Sequence, residues 1–325
     1  MRAPQLAAQW YIYHCAASCG ALIVQTQRTG HSNPMVSPLK IPKGLTRAAF
    51  DDADTRVFAP RALSNFVTQR RDEWNVSKET PNDAIIEALI KQIELEKILV
   101  RSPNYDDTIT RYVWRNPSPY VVALSLRPNA YLSHGTALVL NDLSDEIPKT
   151  IYVNKEQSAK PSPQGTLTQE AINRAFAAKP RASRYIYHDR DFRFVLLSGK
   201  NTGQLDVVEM LGPNGERLRV TKVERSLIDI TVRPHYAGGV HRVLATFERA
   251  RQRASVNTLV ALLKKLGYVY PYHQAVGFYL EKAGFPATRL QRLKKLGMQF
   301  DFYLAHGLKQ LDYDPEWRIY FPRGL

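Results

Sequence analysis

The chain has 325 residues, 45 Lys and Arg against 30 Asp and Glu, a net charge of +15 and an apolar fraction of 44%. That length allows two or three cores of ordinary size, and the apolar fraction is that of a globular protein rather than a disordered tail. With two cysteines, Cys15 and Cys19, no disulfide framework supports the fold, which fits a reducing compartment.

The first 34 residues differ in character from the rest of the chain. Tyr11 to Val24 is apolar but too short to span a bilayer, and with only Arg2 before it the run is poor as a signal peptide. His14, Cys15 and Cys19 lack the second ligand pair that a zinc site needs, so no metal is expected. Residues 1–34 are therefore read as an extension, disordered or translated from an upstream start, with Met35 opening the folded protein.

Between residues 35 and 116 the pattern predicts helix, helix, helix, hairpin. A short helix near Leu45 to Phe50 precedes a better one from Ala59 to Trp74, with Leu63, Phe66, Val67 and Trp74 on one side. Thr80 is placed to cap a third helix, Pro81 suits its first turn, and Asp83 meets the positive end of its dipole. Ile85, Ile86, Leu89, Ile90 and Ile93 recur at helical spacing. After Lys97 the pattern turns to strand, with a polar turn from Ser102 to Asp107 and a return from Thr108 to Trp114. That order predicts a winged helix whose hairpin is the wing. Lys78, Thr80, Asn82, Lys91, Lys97, Arg101, Arg111 and Arg115 are the residues placed to meet DNA. Because Asp83, Glu87 and Glu94 make the outer helix face acidic, phosphate contacts from flank and wing are expected rather than base contacts.

Asn116 to Pro119 reads as a linker into an α+β domain, residues 117–223. Two short helices, Pro119 to Leu126 and Ser133 to Leu140, are followed by a strand from Pro148 to Asn154, a polar loop from Lys155 to Gly165, and a helix from Leu167 to Phe176. Ser183 to His188, Phe192 to Leu197 and Leu205 to Leu211 then fit a small antiparallel sheet, with a hairpin turn at Asn214-Gly215. From Glu224 to Leu325 the chain reads as mainly helical and strongly basic. Arg242, Arg249, Arg253, Lys264, Lys265, Arg292, Lys294 and Lys295 predict a second basic surface there, fit for a polyanion or for solvation alone.

Catalytic patterns are missing. Gly199-Lys200 lacks the earlier glycine of a phosphate-binding loop, and Ser133 beside His134 reads as a cap and a packed histidine. Asp189, Asp191, Asp206 and Glu209 lack the nearby lysine of a metal-dependent nuclease. No catalytic residue and no cofactor is expected.

Three segments carry a family likeness: AYLSHGTALVLNDLSDEIPKTIYV from Ala130, VTKVERSLIDITVRPHYAGGV from Val220, and LGYVYPYHQAVGFYLEKAGF from Leu266. The chain resembles the AbiEi-like antitoxins of type IV toxin–antitoxin systems, which are associated with phage defence. The resemblance implies a cytoplasmic, non-enzymatic regulator that binds double-stranded DNA at its own operator and represses its operon. It also implies a nucleotidyltransferase-like toxin as functional partner, countered without a tight complex. The other reading of the same sequence is an RNA-binding or protein-interaction module acting through the basic helical part.

Overall fold

Described here, from a computed structural model, are residues 39–325 except 147–148 and 162–164. His14, Cys15, Cys19 and the apolar run before Val24 fall outside them. Three helices open this part: α1 (Lys43–Asp51), α2 (Pro60–Gln69) and α3 (Asn82–Ile93). The apolar stripe of α3 is buried at Ile85, Ile86, Leu89 and Ile93, and Phe50, Phe66, Trp74 and Trp114 fill the space between the helices. Phe50 lies 4.8 Å from Phe66 and 5.3 Å from Trp114, ring centre to ring centre. Thr80 does not cap α3. Pro81 holds the N-cap position without a side-chain bond, while Arg71 donates to the Thr80 carbonyl at 2.6 Å and fixes the turn. Glu94 ends the helix in a left-handed conformation, φ 68°, and the chain enters a strand at once.

The expected winged helix with a small separate antiparallel sheet is not what forms. The hairpin β2 (Leu95–Arg101) and β3 (Thr108–Trp114) belongs to a sheet of nine strands. The others are β1 (Val57–Phe58), β4 (Tyr131–Leu132), β5 (Thr150–Glu156), β6 (Ile186–Asp189), β7 (Phe192–Gly199), β8 (Val207–Leu211) and β9 (Arg217–Thr221). Their order is β1-β3-β2-β6-β7-β5-β4-β9-β8, and the sheet is mixed, β5 running parallel to β7 and β4 to β9. The supposed wing is thus an interior pair of strands, joined to β6 where Arg101 faces His188. Its tip is tied down as well: Asn104 Nδ2 donates to the Arg184 carbonyl at 2.7 Å, the Tyr187 hydroxyl donates to Asp107 at 2.5 Å, and Tyr105 stacks on Tyr185. Local pattern reveals a hairpin, but β6 arrives some eighty residues later, and nothing local announces that pairing.

One side of the sheet is covered by α4 (Pro119–Ser125) and α5 (His134–Leu140), with Val100, Val113, Ile151, Val153, Phe194 and Val220 in that core. In β7 the run Phe194 to Leu197 is buried throughout, as expected of a strand covered on both faces. The rest of the chain, α6 (Gln169–Ala177), α7 (Val223–Val232), α8 (Val240–Arg249), α9 (Val256–Leu266), α10 (Tyr272–Lys282) and α11 (Ala287–Lys294), packs a second large core. The last residues are not helical: β10 (Phe302–Tyr303), β11 (Leu311–Asp314) and β12 (Ile319–Pro322) form a three-stranded sheet. Among the described residues no helix is long and apolar enough to cross a membrane.

Trp317, fully buried, seats this small sheet on α10. A Cβ added at Gly277 would lie 2.0 Å from the Trp317 ring, so only glycine permits the approach. Gly277→Ala should cost about 2–3 kcal/mol in urea unfolding, through overpacking that outweighs the roughly 1 kcal/mol alanine gains in a helix. Unchanged or increased stability would show that Trp317 does not sit against this helix.

Candidate nucleic-acid interface

Pairing of β2, β6 and β7 sets basic side chains in a row. Directly opposed residues on neighbouring strands point to the same face, and Arg101 faces His188, which faces Arg193. All three are exposed, and the row spans two steps between strands, about 10 Å in all. Lys97 lies on the same face of β2, opposite Tyr112, with exposed Leu99 between it and Arg101. On this face β2, β3 and β6 place no carboxylate. Glu96 and Asp189 point to the other side, where Arg190 binds both Glu96 oxygens at 2.7–2.8 Å. The result is a surface of two arginines, a lysine, a histidine, threonine hydroxyls, Leu99 and one half-buried tyrosine, backed by a packed core.

Of the residues expected to meet DNA, Lys78, Lys91, Lys97, Arg101 and Arg115 are exposed, Arg115 in a surface ion pair. Asn82, Thr80 and Arg111 have structural duties. Asn82 joins α2 to α3, donating to the hydroxyls of Ser64 at 2.7 Å and Thr68 at 2.9 Å while accepting from Arg71. Thr80 contributes its carbonyl to Arg71. Arg111 is 9% exposed, lies on the covered side of the sheet, and donates to the Ser125 carbonyl and hydroxyl, so it tethers α4 and is out of reach of a phosphate. Arg115 pairs with Asp51 at 2.7 Å. Donation from the Trp114 indole, with Arg56 and Arg115 alongside, holds the Asp51 carboxyl below its ordinary range. His188 and Arg193 carry no mark in the sequence that assigns them to this surface. Alternation in FRFVLL sets Arg193 apart from its neighbours, but only the register aligns it with Arg101.

The second basic surface is divided and largely occupied. Arg242 pairs with Glu146, Arg249 with Asp145 and Lys294 with Glu316; Arg253 donates to the Asn141 carbonyl and Arg292 to Asn257. Lys264, Lys265 and Lys295 are exposed, at the ends of α9 and α11.

Beneath the sheet's other end lies a buried polar network. Arg225 and Asp229, one turn apart on α7 and 4% and 7% exposed, pair at 2.9 Å. Arg225 also donates to the Leu205 carbonyl at 2.7 Å and approaches the Tyr131 hydroxyl at 3.5 Å. Tyr131 in turn accepts from Asn154 and donates to Glu156. Glu156 receives the Thr202 hydroxyl and the Thr202 and Gln204 amides; burial opposes its ionisation, yet these donations leave its carboxyl below the usual range. Burial pushes Asp229 up, against the lowering effect of Arg225. Every charge in this set is engaged within the protein, which marks it as scaffold.

His134 is packed, as its neighbours in sequence suggest. It takes φ 51°, its Nδ1 lies 2.9 Å from the Ser133 hydroxyl, and its ring meets Tyr236 edge to face. Ser133 occupies the N-cap position of α5, but its side chain serves the histidine rather than a helix amide. Burial first, then the charges of Arg225, His235 and Arg233, push the imidazole down to about 3, and burial with Arg233 pushes His235 down to about 4. Both histidines are therefore neutral in the folded protein and protonate on unfolding below pH 6.5. Stability is full above pH 6.5 and falls as the pH drops toward 4 and then 3. Because an edge of His134 still meets solvent, the loss assigned to it is about 3 kcal/mol, less than the full shift would give. His134→Asn, which tolerates the left-handed backbone, should flatten the fall of melting temperature between pH 6.5 and 4. An unaltered pH profile would remove His134 from the acid response.

Among the described residues no three His, Cys, Asp or Glu side chains converge as metal ligands, and Asp189, Asp191, Asp206 and Glu209 do not gather. No family model matches the sequence, and no curated protein matches it. Among solved structures the chain is similar to the RV2827C protein from Mycobacterium tuberculosis, at 17% identity and a TM-score of 0.52, over 87% of this chain and 92% of that one. At that identity the likeness is one of fold alone.

Proposed function

We propose that the protein is a non-enzymatic, DNA-binding regulator that holds duplex DNA against the exposed patch of its sheet where β2, β6 and the start of β7 meet. On this reading it works in the cytoplasm as an antitoxin-like repressor of its own operon. It counters a nucleotidyltransferase-like toxin without forming a tight complex with it, as its resemblance to AbiEi-like antitoxins implies. The observation that carries the reading is the aligned row Arg101, His188 and Arg193, with Lys97 beside it and no carboxylate on the β2, β3 and β6 positions of that face. A rigid field of one sign attracts phosphate and displaces its counterions. Docking through the basic helical part, on RNA or on a protein, has less support because five of its eight cations already have partners.

Binding to a duplex from the protein's own upstream region, compared with a scrambled duplex at several salt concentrations, tests the proposal. An operator-binding repressor should favour its own sequence by ~10³ or more at physiological salt. Equal, weak binding to both that vanishes with salt would leave a basic surface without a regulatory role.

A further inference from the structure

The row Arg101, His188, Arg193 continues onto one more strand. Thr150 of β5 stands directly opposite Arg193, whose amide donates to the Lys149 carbonyl at 2.8 Å. Thr150 and Tyr152 share the face that carries Arg193, and they line a groove of about 700 Å³ whose other wall is α8. Burial pushes the Tyr152 hydroxyl up and the Arg193 charge draws it back down, so the last arginine of the row acts on the groove wall.

Across the groove stand Arg242 and Arg249, two turns apart and therefore on one face of α8. Gly238 leaves room for the Arg242 stem, since a Cβ there would come within 2.4 Å of it. Their partners are two consecutive carboxylates, Glu146 for Arg242 and Asp145 for Arg249. All four side chains are exposed, Asp145 at 81%. Ion pairs so open to water add little to folding, unlike the buried pair of Arg225 and Asp229, so stability does not account for their placement. A guanidinium that holds a carboxylate holds a phosphate through the same fork of donors.

We propose that Asp145 and Glu146 are stand-ins for phosphate: the backbone of one DNA strand crosses from the sheet row over Thr150 into the groove, where Arg249 and Arg242 exchange these carboxylates for phosphodiester oxygens. The inference rests on the reading of the sheet patch as a DNA surface and carries that surface on to α8. Each guanidinium stays paired through the exchange, and two exposed carboxylates return to water. The acids therefore act as a brake on affinity and not as a block.

Binding of the protein's own upstream duplex by variants of the full chain, at physiological salt, provides the test. Asp145→Asn with Glu146→Gln should tighten binding at least ~5-fold. The control Glu73→Gln with Glu170→Gln changes net charge equally on exposed residues that do not line the groove, and it should stay within about twofold. Arg242→Ala with Arg249→Ala should weaken binding at least ~10-fold and flatten the logarithmic salt dependence by about 1.8. Arg101→Ala with Arg193→Ala, measured beside them, separates the two claims. A loss in that sheet variant, with neither groove pair moving affinity beyond the control, would overturn the exchange and leave the sheet reading standing. A loss confined to the groove arginines, with tighter binding once the acids are neutralised, would support the exchange and overturn the sheet reading. No loss in either arginine variant would overturn both.

Discussion

Arg225→Ala should cost about 3–5 kcal/mol of folding stability, and Asp229→Ala a similar amount, the range for breaking a buried ion pair from either side. The guanidinium is 4% exposed and the carboxylate 7%, so neither can recover water once its partner is gone. Losing Arg225 also strips donors from the Leu205 carbonyl and the Thr202 hydroxyl, which hold the loop between β7 and β8 against α7. The two single variants should differ in pH dependence. In Arg225→Ala the stranded Asp229 carboxyl, already pushed up by burial, rises further. A folded value above the unfolded one means that the folded state binds the extra proton, so part of the lost stability returns as the pH falls. Asp229→Ala leaves a cation that cannot discharge and has no such recovery. Replacing both by leucine should cost much less than the sum of the single losses. Urea unfolding at pH 7 and pH 5 reads all of this, and single losses below 1 kcal/mol would show that the pair is not buried as described.

The combined variant Arg101→Ala and Arg193→Ala should weaken duplex binding by ten- to a hundredfold at physiological salt and flatten the logarithmic salt dependence by about 1.8, or 0.9 for each phosphate contact removed. Both side chains are exposed, so melting temperature should hold within about a degree or two. Arg111→Ala should behave in the opposite way. It leaves the salt slope alone and destabilises the protein, because its guanidinium secures α4 to β3. Sequence pattern assigns Arg101 and Arg111 to one wing, and pleating separates them: two positions on paired strands of one hairpin face opposite sides of the sheet.

Legibility in the sequence is local. The stripe of Ile85, Ile86, Leu89 and Ile93 announces α3, the runs Ile98 to Val100 and Thr108 to Trp114 announce β2 and β3, and the run Phe192 to Leu197 announces β7. The features that escape it depend on pairing across distance. Arg101 meets His188, Tyr131 meets Asn154, and β5 aligns in parallel with β7 after a helix and a loop. Because those partners are set by the packing of whole layers, a hairpin that looks self-sufficient becomes the middle of a mixed sheet. The candidate interface is half visible for the same reason: Lys97 and Arg101 can be named from the hairpin, His188 and Arg193 only from the register. Two further signals are present in the sequence. Gly277 within a helical pattern marks a close approach, and Arg225 and Asp229, four apart on one helix, have the spacing of an ion pair.

Charge reversal at the sheet face tests the central claim most directly. Arg101→Glu with Arg193→Glu is to be compared with Lys265→Glu with Lys295→Glu, which changes net charge by the same amount on exposed residues elsewhere. Binding to the protein's own upstream duplex is measured for both at physiological salt. The sheet variant should lose at least a hundredfold in affinity while the control stays within a few-fold of the natural protein. Equal losses would mean that only overall charge matters, and a greater loss in the control would move the nucleic-acid contact to the helical part of the chain.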